Sequence, residues 1–151
     1  MFFSRSTEYA IRAVVYLSIH ASEEKKLGIK QISSDLGFPG HYLGKIFQDL
    51  VRKHIIKSAK GPHGGFYIDK KAMDISLLSL IDATEGLEFF STCGLGLYEC
   101  NEDKPCPIHR EYQVVKGNFY KILSEKTIRD IRYDIQNEIA FMNFSPHLEV
   151  S

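Results

Sequence analysis

The sequence predicts a mainly α chain with one small β-hairpin, and three observations predict it. Apolar residues recur at helical spacing in several separate stretches, two brief β-prone runs flank a glycine-rich turn at 60–65, and a long helical segment follows a cysteine-bearing loop. At 151 residues, 44% hydrophobic and 25% charged, the chain has the composition of a folded domain with a real core. No apolar run approaches the eighteen or more residues of a membrane span. The opening MFFSRSTEYAIRAVVYLSIH is interrupted by Arg5, Glu8 and Arg12, with no small-residue cleavage site, so it reads as a first helix of a cytoplasmic protein rather than an export signal.

The elements follow in order. Residues 6–21 form an amphipathic helix on Tyr9, Ala13, Val14, Leu17 and Ile19, with Glu8 in the first turn, where a carboxylate complements the helix dipole. The charged stretch Glu23–Lys26 and Gly28 mark a loop. Ile29, Ile32 and Leu36 share one face of a short helix that Gly37 closes, and Pro39 suits the first turn of another. That next helix carries Leu43, Ile46, Phe47, Leu50 and Val51 on one side, and His41, Gly44, Lys45 and Gln48 on the other. It ends near His54. Two short helices joined by a Gly-containing turn are a helix-turn-helix signature.

Ile55–Ser58 and Phe66–Ile68 read as two strands around Lys60-Gly61-Pro62-His63-Gly64-Gly65. A helix-turn-helix followed by a basic-tipped hairpin is a winged helix. Ser76 caps a helix through about Glu85, with Gly86 past its end. Residues 87–107 show no helical period and carry all three cysteines. A helix over about 108–123 follows, with Val114, Val115, Phe119, Ile122 and Leu123 apolar. Thr127 and Asp130 then resemble a capping box opening a last helix striped by Ile128, Ile131, Ile135 and Ile139. The expected organisation is a DNA-binding domain over 1–86, a cysteine loop over 87–107, and helices over 108–151.

The zero net charge hides a split. Residues 1–71 hold twelve Lys/Arg against six Asp/Glu, and residues 72–151 hold seven against thirteen. A basic half joined to an acidic half is a common footprint of nucleic-acid binding. In a winged helix the N-terminal residues of the second helix approach base edges, here His41, Tyr42, Lys45 and Gln48. Gln pairs with adenine and Lys donates to guanine. Lys60 and His63 on the wing tip reach toward the backbone or minor groove, and Gly64 and Gly65 let the turn approach phosphate. The plain alternative is a hairpin and a solvated helix face with no ligand.

Cys93, Cys100, Cys106 and His109 fall as C-x6-C-x5-C-x2-H. Zinc sites usually pair cysteines more closely, whereas widely spaced thiolates on a Gly-containing loop suit an iron–sulfur cluster. Three reduced cysteines with no ligand, and a structural zinc site, are the alternatives. No nucleotide loop precedes a helix and no nucleophile–base constellation stands out, so an enzyme is not expected. An iron–sulfur electron carrier is the remaining non-regulator alternative.

Ser6-Thr7-Glu8-Tyr9-Ala10-Ile11-Arg12-Ala13, then Tyr42-Leu43 with Ile46-Phe47, the wing Gly61-Pro62-His63-Gly64-Gly65-Phe66 and the cysteine triplet together resemble the Rrf-two family of bacterial winged-helix regulators. The resemblance covers nearly the whole chain. It implies a homodimer formed through the long helix at about 108–125, each subunit entering one half of a palindromic operator in double-stranded DNA. It also implies a two-iron or four-iron cluster on Cys93, Cys100 and Cys106 that tunes a repressor's DNA affinity in response to nitric oxide, redox state or iron supply. For the fourth ligand, IscR-like members match His109, and NsrR-like members match Glu8, donated across the dimer. Both residues are present. Gly44 and the six-residue first cysteine gap depart from the family pattern. Cluster-free members controlled by a protein partner or by thiol oxidation supply the rival form of regulation.

Overall fold

A computed structural model describes residues 2–97 and 99–144. The final seven residues of the 108–151 segment lie outside the described residues. The element order is α1 (Arg5–His20), α2 (Ile29–Leu36), α3 (Gly40–Arg52), β1 (Lys57–Ala59), β2 (Gly65–Tyr67), α4 (Leu77–Glu85), α5 (His109–Glu125) and α6 (Ile128–Gln136), with 3₁₀ turns at Ala72–Asp74 and Glu88–Phe90. The fold is therefore mainly α with a two-stranded wing.

Helix α1 is the central element. Ser4 caps it, accepting from the Thr7 N–H, and Ala10, Ala13, Val14, Val15 and Leu17 are fully buried. Burial on several sides follows from its neighbours: α1 packs against α2, α3, α4 and α6. Tyr16 donates its hydroxyl to the Asp35 carboxylate, tying α1 to α2. Burial, with the Asp35 charge behind it, pushes the Tyr16 hydroxyl far above its ordinary pKa.

Gly37 ends α2 in the left-handed conformation (φ 68°), and only Gly37, Phe38 and Pro39 separate α2 from α3. Phe38 stacks on Tyr9 with ring centroids 3.9 Å apart, which fixes this turn against α1. Leu43, Phe47 and Leu50 seat α3 in the core, while Phe47 meets the wing residue Phe66 edge-on at 4.8 Å.

The strands begin and end differently from the sequence expectation. Ile55 and Ile56 belong to the end of α3 rather than to β1. His54 turns left-handed (φ 60°), and the Ile55 and Ile56 N–H groups both return to the Leu50 carbonyl. This drops both isoleucines into the core, 4% and 1% exposed, as the hydrophobic close of a helix C-terminus. The hairpin pairs Lys57 with Tyr67, Ser58 with Phe66 and Ala59 with Gly65, while Leu27 bridges Phe66 from the other side. Ile68 lies past β2 and is buried.

The last helix is also shorter than its isoleucine stripe. Its capping box forms as expected, Thr127 and Asp130 exchanging hydrogen bonds. Glu138 then turns left-handed (φ 58°), the Ile139 N–H returns to the Asp134 carbonyl, and Ile139 is left 66% exposed. Ile128, Ile131 and Ile135 pack into the same core as α1. Reciprocal backbone bonds, Leu77 N–H to Lys126 and Ile128 N–H to Ile75, fasten the start of α6 beside the start of α4.

Helix α5 shows two apolar faces. Phe119 and Leu123 pack with Leu78 and Ile81 of α4 and with Phe3 and Phe90. Val114, Val115 and Ile122 point outward, each 60–64% exposed. No helix among the described residues is long and apolar enough to cross a membrane.

Candidate DNA interface and cysteine cleft

The exposed side of α3, the candidate recognition face, is built by its buried side. With Leu43, Phe47 and Leu50 fixed inward, His41, Lys45 and Gln48 stand exposed along one face at i, i+4 and i+7. No side chain caps the N-terminus of α3, so its first N–H groups and the positive end of its dipole face outward. Tyr42 behaves differently from its exposed neighbours. Its hydroxyl is 2.5 Å from Ser6 Oγ and its ring meets Tyr9 edge-on at 5.6 Å, so it joins α3 to α1.

Lys60 and His63 are exposed at the wing tip. The two wing glycines have internal reasons to be glycine. A Cβ on Gly64 would lie 2.3 Å from the Ala59 carbonyl oxygen, inside the turn closed by Gly64 N–H to Gly61. Gly65, at φ 144°, would drive a Cβ to 2.6 Å from the Leu27 carbonyl oxygen. Tight chain approach therefore accounts for both, ahead of any approach to phosphate.

Cys93, Cys100, Cys106 and His109 line one cleft of about 240 Å³, together with Glu99, Asn101 and Lys104. The loop is shaped by the 3₁₀ turn at Glu88–Phe90, a bridge between Thr92 and Glu99, and the Cys100 N–H bonded to Ser91. Cys93 is buried, Cys100 and Cys106 are half-buried, and none of the three is in a disulfide. His109 is 8% exposed, with Nδ1 3.5 Å from the Cys100 sulfur, and Gln113 Nε2 donates to the same sulfur at 3.0 Å. Desolvation raises the Cys106 thiol above its ordinary value. The Ile108 N–H at the start of α5 opposes this, and the adjacent Cys93 and Cys100 add to it.

Among the described residues, no three Cys, His, Asp or Glu side chains are gathered closely enough to hold a single metal ion. The donors are spread around a cleft, three thiols and an imidazole facing a shared space. That donor set and spacing fit a group larger than one ion.

Glu8 does not line this cleft within the chain. It stands half-exposed in the first turn of α1. Its neighbours in the Ser6–Tyr9 segment are all engaged: Ser6 with Tyr42, Thr7 with Thr84 and Glu85, and Tyr9 with Phe38. Among the described residues the Glu8 carboxylate makes no hydrogen bond or ion pair.

The sequence reading missed a polar stripe on α5. His109, Tyr112, Gln113 and Lys116 sit at i, i+3, i+4 and i+7 and face the loop: Gln113 bonds Cys100, Tyr112 lies against Gly94, and Lys116 bonds the carbonyls of Phe90 and Thr92. The helical spacing from His109 was the available signal. Glu85 was missed too. Its carboxylate accepts from the Ser4 N–H at 2.8 Å and the Thr7 hydroxyl at 3.1 Å, joining α4 to the start of α1. Its burial alone would raise its pKa, but these hydrogen bonds prevail and hold it below the usual value.

Residues 3–134 match the model of the Rrf2 family, described as an iron-dependent transcriptional regulator. The HTH-type transcriptional regulator NsrR of Geobacillus kaustophilus is 27% identical over 132 residues, covering 85% of this chain and 87% of that protein. CymR, the global cysteine regulator of B. subtilis, superposes with a TM-score of 0.72 at 20% identity, covering 87% of this chain and 95% of that one. T. potens IscR superposes with a TM-score of 0.68 at 19% identity, covering 93% of each chain. The helix-turn-helix, the wing and the match over nearly the whole chain agree: the chain belongs to the Rrf2 family of transcriptional regulators.

Proposed function

We propose that this regulator is a repressor that binds a palindromic operator as a homodimer and is controlled by an iron–sulfur cluster in the cysteine cleft. The observation that carries the control is the convergence of Cys93, Cys100, Cys106 and His109 on one cleft at the start of α5. When bound there, the cluster supplies redox and nitric-oxide-sensitive chemistry. The three thiolates are its protein ligands. The fourth is His109, already beside Cys100, or Glu8 from the partner protomer, whose carboxylate makes no hydrogen bond or ion pair among the described residues. A carboxylate is a hard ligand among thiolates and is more readily displaced, so Glu8 ligation favours nitric-oxide sensing, whereas His109 ligation suits slower response to redox state or iron supply.

On the DNA side, His41, Lys45 and Gln48 face the major groove, with Tyr42 fixing the helix that carries them. Lys60 and His63 meet the backbone or minor groove from the wing, where Gly64 holds the tip. The homodimer is supported by the outward Val114, Val115 and Ile122 of α5, three large apolar side chains on one helix that the described residues leave exposed. Phe90 links the loop to this helix and to α1, because it packs with Phe119, which in turn stacks on Phe3. A change at the loop therefore has a packed route to the helix-turn-helix.

One further observation favours thiol oxidation as a second reading. Cys93 and Cys106 line the same cleft, and the Cys93 thiol is one of the groups that raise the Cys106 thiol. Two thiols there would form one disulfide, giving two electrons and two protons to hydrogen peroxide, which becomes two waters, or to an alkyl hydroperoxide, which becomes one alcohol and one water.

Anaerobic purification, followed by an absorption spectrum and by iron, sulfide and zinc determination, tests the choice. Brown protein with matched iron and sulfide, lost in Cys93→Ala and Cys106→Ala, is the expected result. Colourless protein free of metal after anaerobic reconstitution would remove the cluster and leave thiol oxidation or a protein partner. Zinc alone would make the site structural.

A further inference from the structure

Lys116 is an unusual residue in this cleft's surroundings. It lies in the middle of α5 and is 4% exposed. Its ammonium donates to the Phe90 carbonyl at 2.9 Å and the Thr92 carbonyl at 3.3 Å, and lies 5.0 Å from the centre of the Tyr112 ring. Among the described residues no carboxylate pairs with it. The Tyr112 ring presses flat on the loop just beyond: a Cβ on Gly94 would meet three of its carbons at 3.0 Å.

Burying a cation with only neutral partners is costly, and carbonyl dipoles with a π face compensate it only in part. The arrangement makes sense if the missing anion is supplied next door. The Thr92 carbonyl belongs to the peptide that leads into Cys93, and Tyr112 packs on the residue after it. Lys116 and Tyr112 thus grip Cys93 from both sides along the chain.

We propose that Lys116 is the positioning residue and fixed counter-charge of the cysteine site. It locks the backbone that presents Cys93, and its buried charge offsets the negative charge of the thiolate-held group. The positioning half stands on the contacts alone; the counter-charge half rests on the cluster reading above. The same side chain connects the loop to α5, so the helix proposed for dimerisation would sense both the place and the charge of the site.

The test compares full-length wild type, Lys116→Met and Lys116→Arg. Methionine fits a buried site and removes the charge, so it is expected to fold, which thermal melting checks. In the metal-free chain, hydrogen exchange in the 91–100 segment should be about tenfold faster in Lys116→Met, with the amides of α3 unchanged. Unaltered exchange in that segment would overturn the clamp. In the anaerobically reconstituted protein, the cluster of Lys116→Met should be harder to reduce, the reduced-to-oxidised ratio falling at least tenfold at a given potential, equivalent to about 59 mV for one electron. Lys116→Arg should restore most of this.

An unchanged potential, or an equal shift in both variants, would overturn the counter-charge. A wild-type chain that takes up neither iron nor sulfide would overturn it together with the reading on which it rests, while the exchange measurement would still decide the clamp.

Discussion

The proposed recognition face and the cysteine cleft are built on opposite principles. On α3, the exposed residues His41, Lys45 and Gln48 are positioned by what lies behind them, the fully buried Leu43, Phe47 and Leu50. Their geometry is a by-product of a helix seated in the core, and it needs no polar contact of its own. The cysteine cleft has little core beneath it. Its loop carries Leu95 and Leu97 exposed, and it is held by single side chains of α5 reaching across: Gln113 to Cys100, and Lys116 to Phe90 and Thr92. A surface fixed by packing presents a constant shape, as a DNA reader requires. A loop fixed by a few polar contacts can change when those contacts change, as the proposed sensing role requires.

The strongest way to break this comparison is to empty the core behind α3. Phe47→Ala removes a fully buried ring that contacts Phe66 of the wing, and should cost ~3–5 kcal/mol in chemical denaturation. DNA binding should fall with it, because helix and wing lose their common support. The hydrogen-exchange pattern of residues 91–100, by contrast, should persist wherever the chain remains folded. If that segment loosens to the same degree as α3, the two regions are one cooperative unit and the contrast is wrong.

Two smaller changes sharpen the recognition side. Gly64→Ala forces a methyl group against the Ala59 carbonyl, so the wing turn must open, and ~1–3 kcal/mol of DNA affinity should be lost with little change in melting of the helical core. Lys45→Ala and Gln48→Ala touch no packing, and each should weaken operator binding by ~1–3 kcal/mol while leaving stability unchanged. Lys60→Ala on the wing is expected to act uniformly on all DNA sequences and to lower the slope of log affinity against log salt by about 0.9. A Lys60 variant that alters sequence preference would instead place the wing on base edges.

How much of each region was legible in the sequence follows from the same contrast. The helix-turn-helix is local: Ile32, Leu36, Gly37, Leu43 and Phe47 announce two helices and their turn within a short window, and the structure keeps them. The errors arose where a β-branched or apolar run served as a helix stop. Ile55 and Ile56 have strand propensity but fill the core because left-handed His54 reverses the chain, and Ile139 leaves its stripe because left-handed Glu138 does the same. Neither His nor Glu is the Gly or Asn that usually signals such a reversal. The spacing of the cysteines indicated that they share a site, but not what holds them. Gln113 and Lys116 look like ordinary surface residues of an amphipathic helix until the loop folds over them. Tyr42 was placed at the DNA face because of its position on α3, and only the distant Ser6 shows that its hydroxyl is already engaged.

The smallest expected effect concerns the joint between the two regions. Glu85, at the end of α4, receives hydrogen bonds from Ser4 and Thr7 at the start of α1, and α4 in turn packs on α5. Its carboxyl is held below the ordinary 4.5 in the folded chain, so the folded state binds its proton less readily than the unfolded state does. The stability it contributes is therefore complete above about pH 4.5 and is lost as pH falls through the lower folded value. Glu85→Gln keeps the shape, removes the charge, and should cost about 1 kcal/mol near neutral pH, reduced by the partial exposure of the group. The difference in melting temperature between wild type and Glu85→Gln should narrow steadily as the pH is lowered from 5 to 3. A difference that stays constant over that range would show that the carboxylate's charge contributes nothing at this joint, and that Ser4 and Thr7 hold α1 through geometry alone.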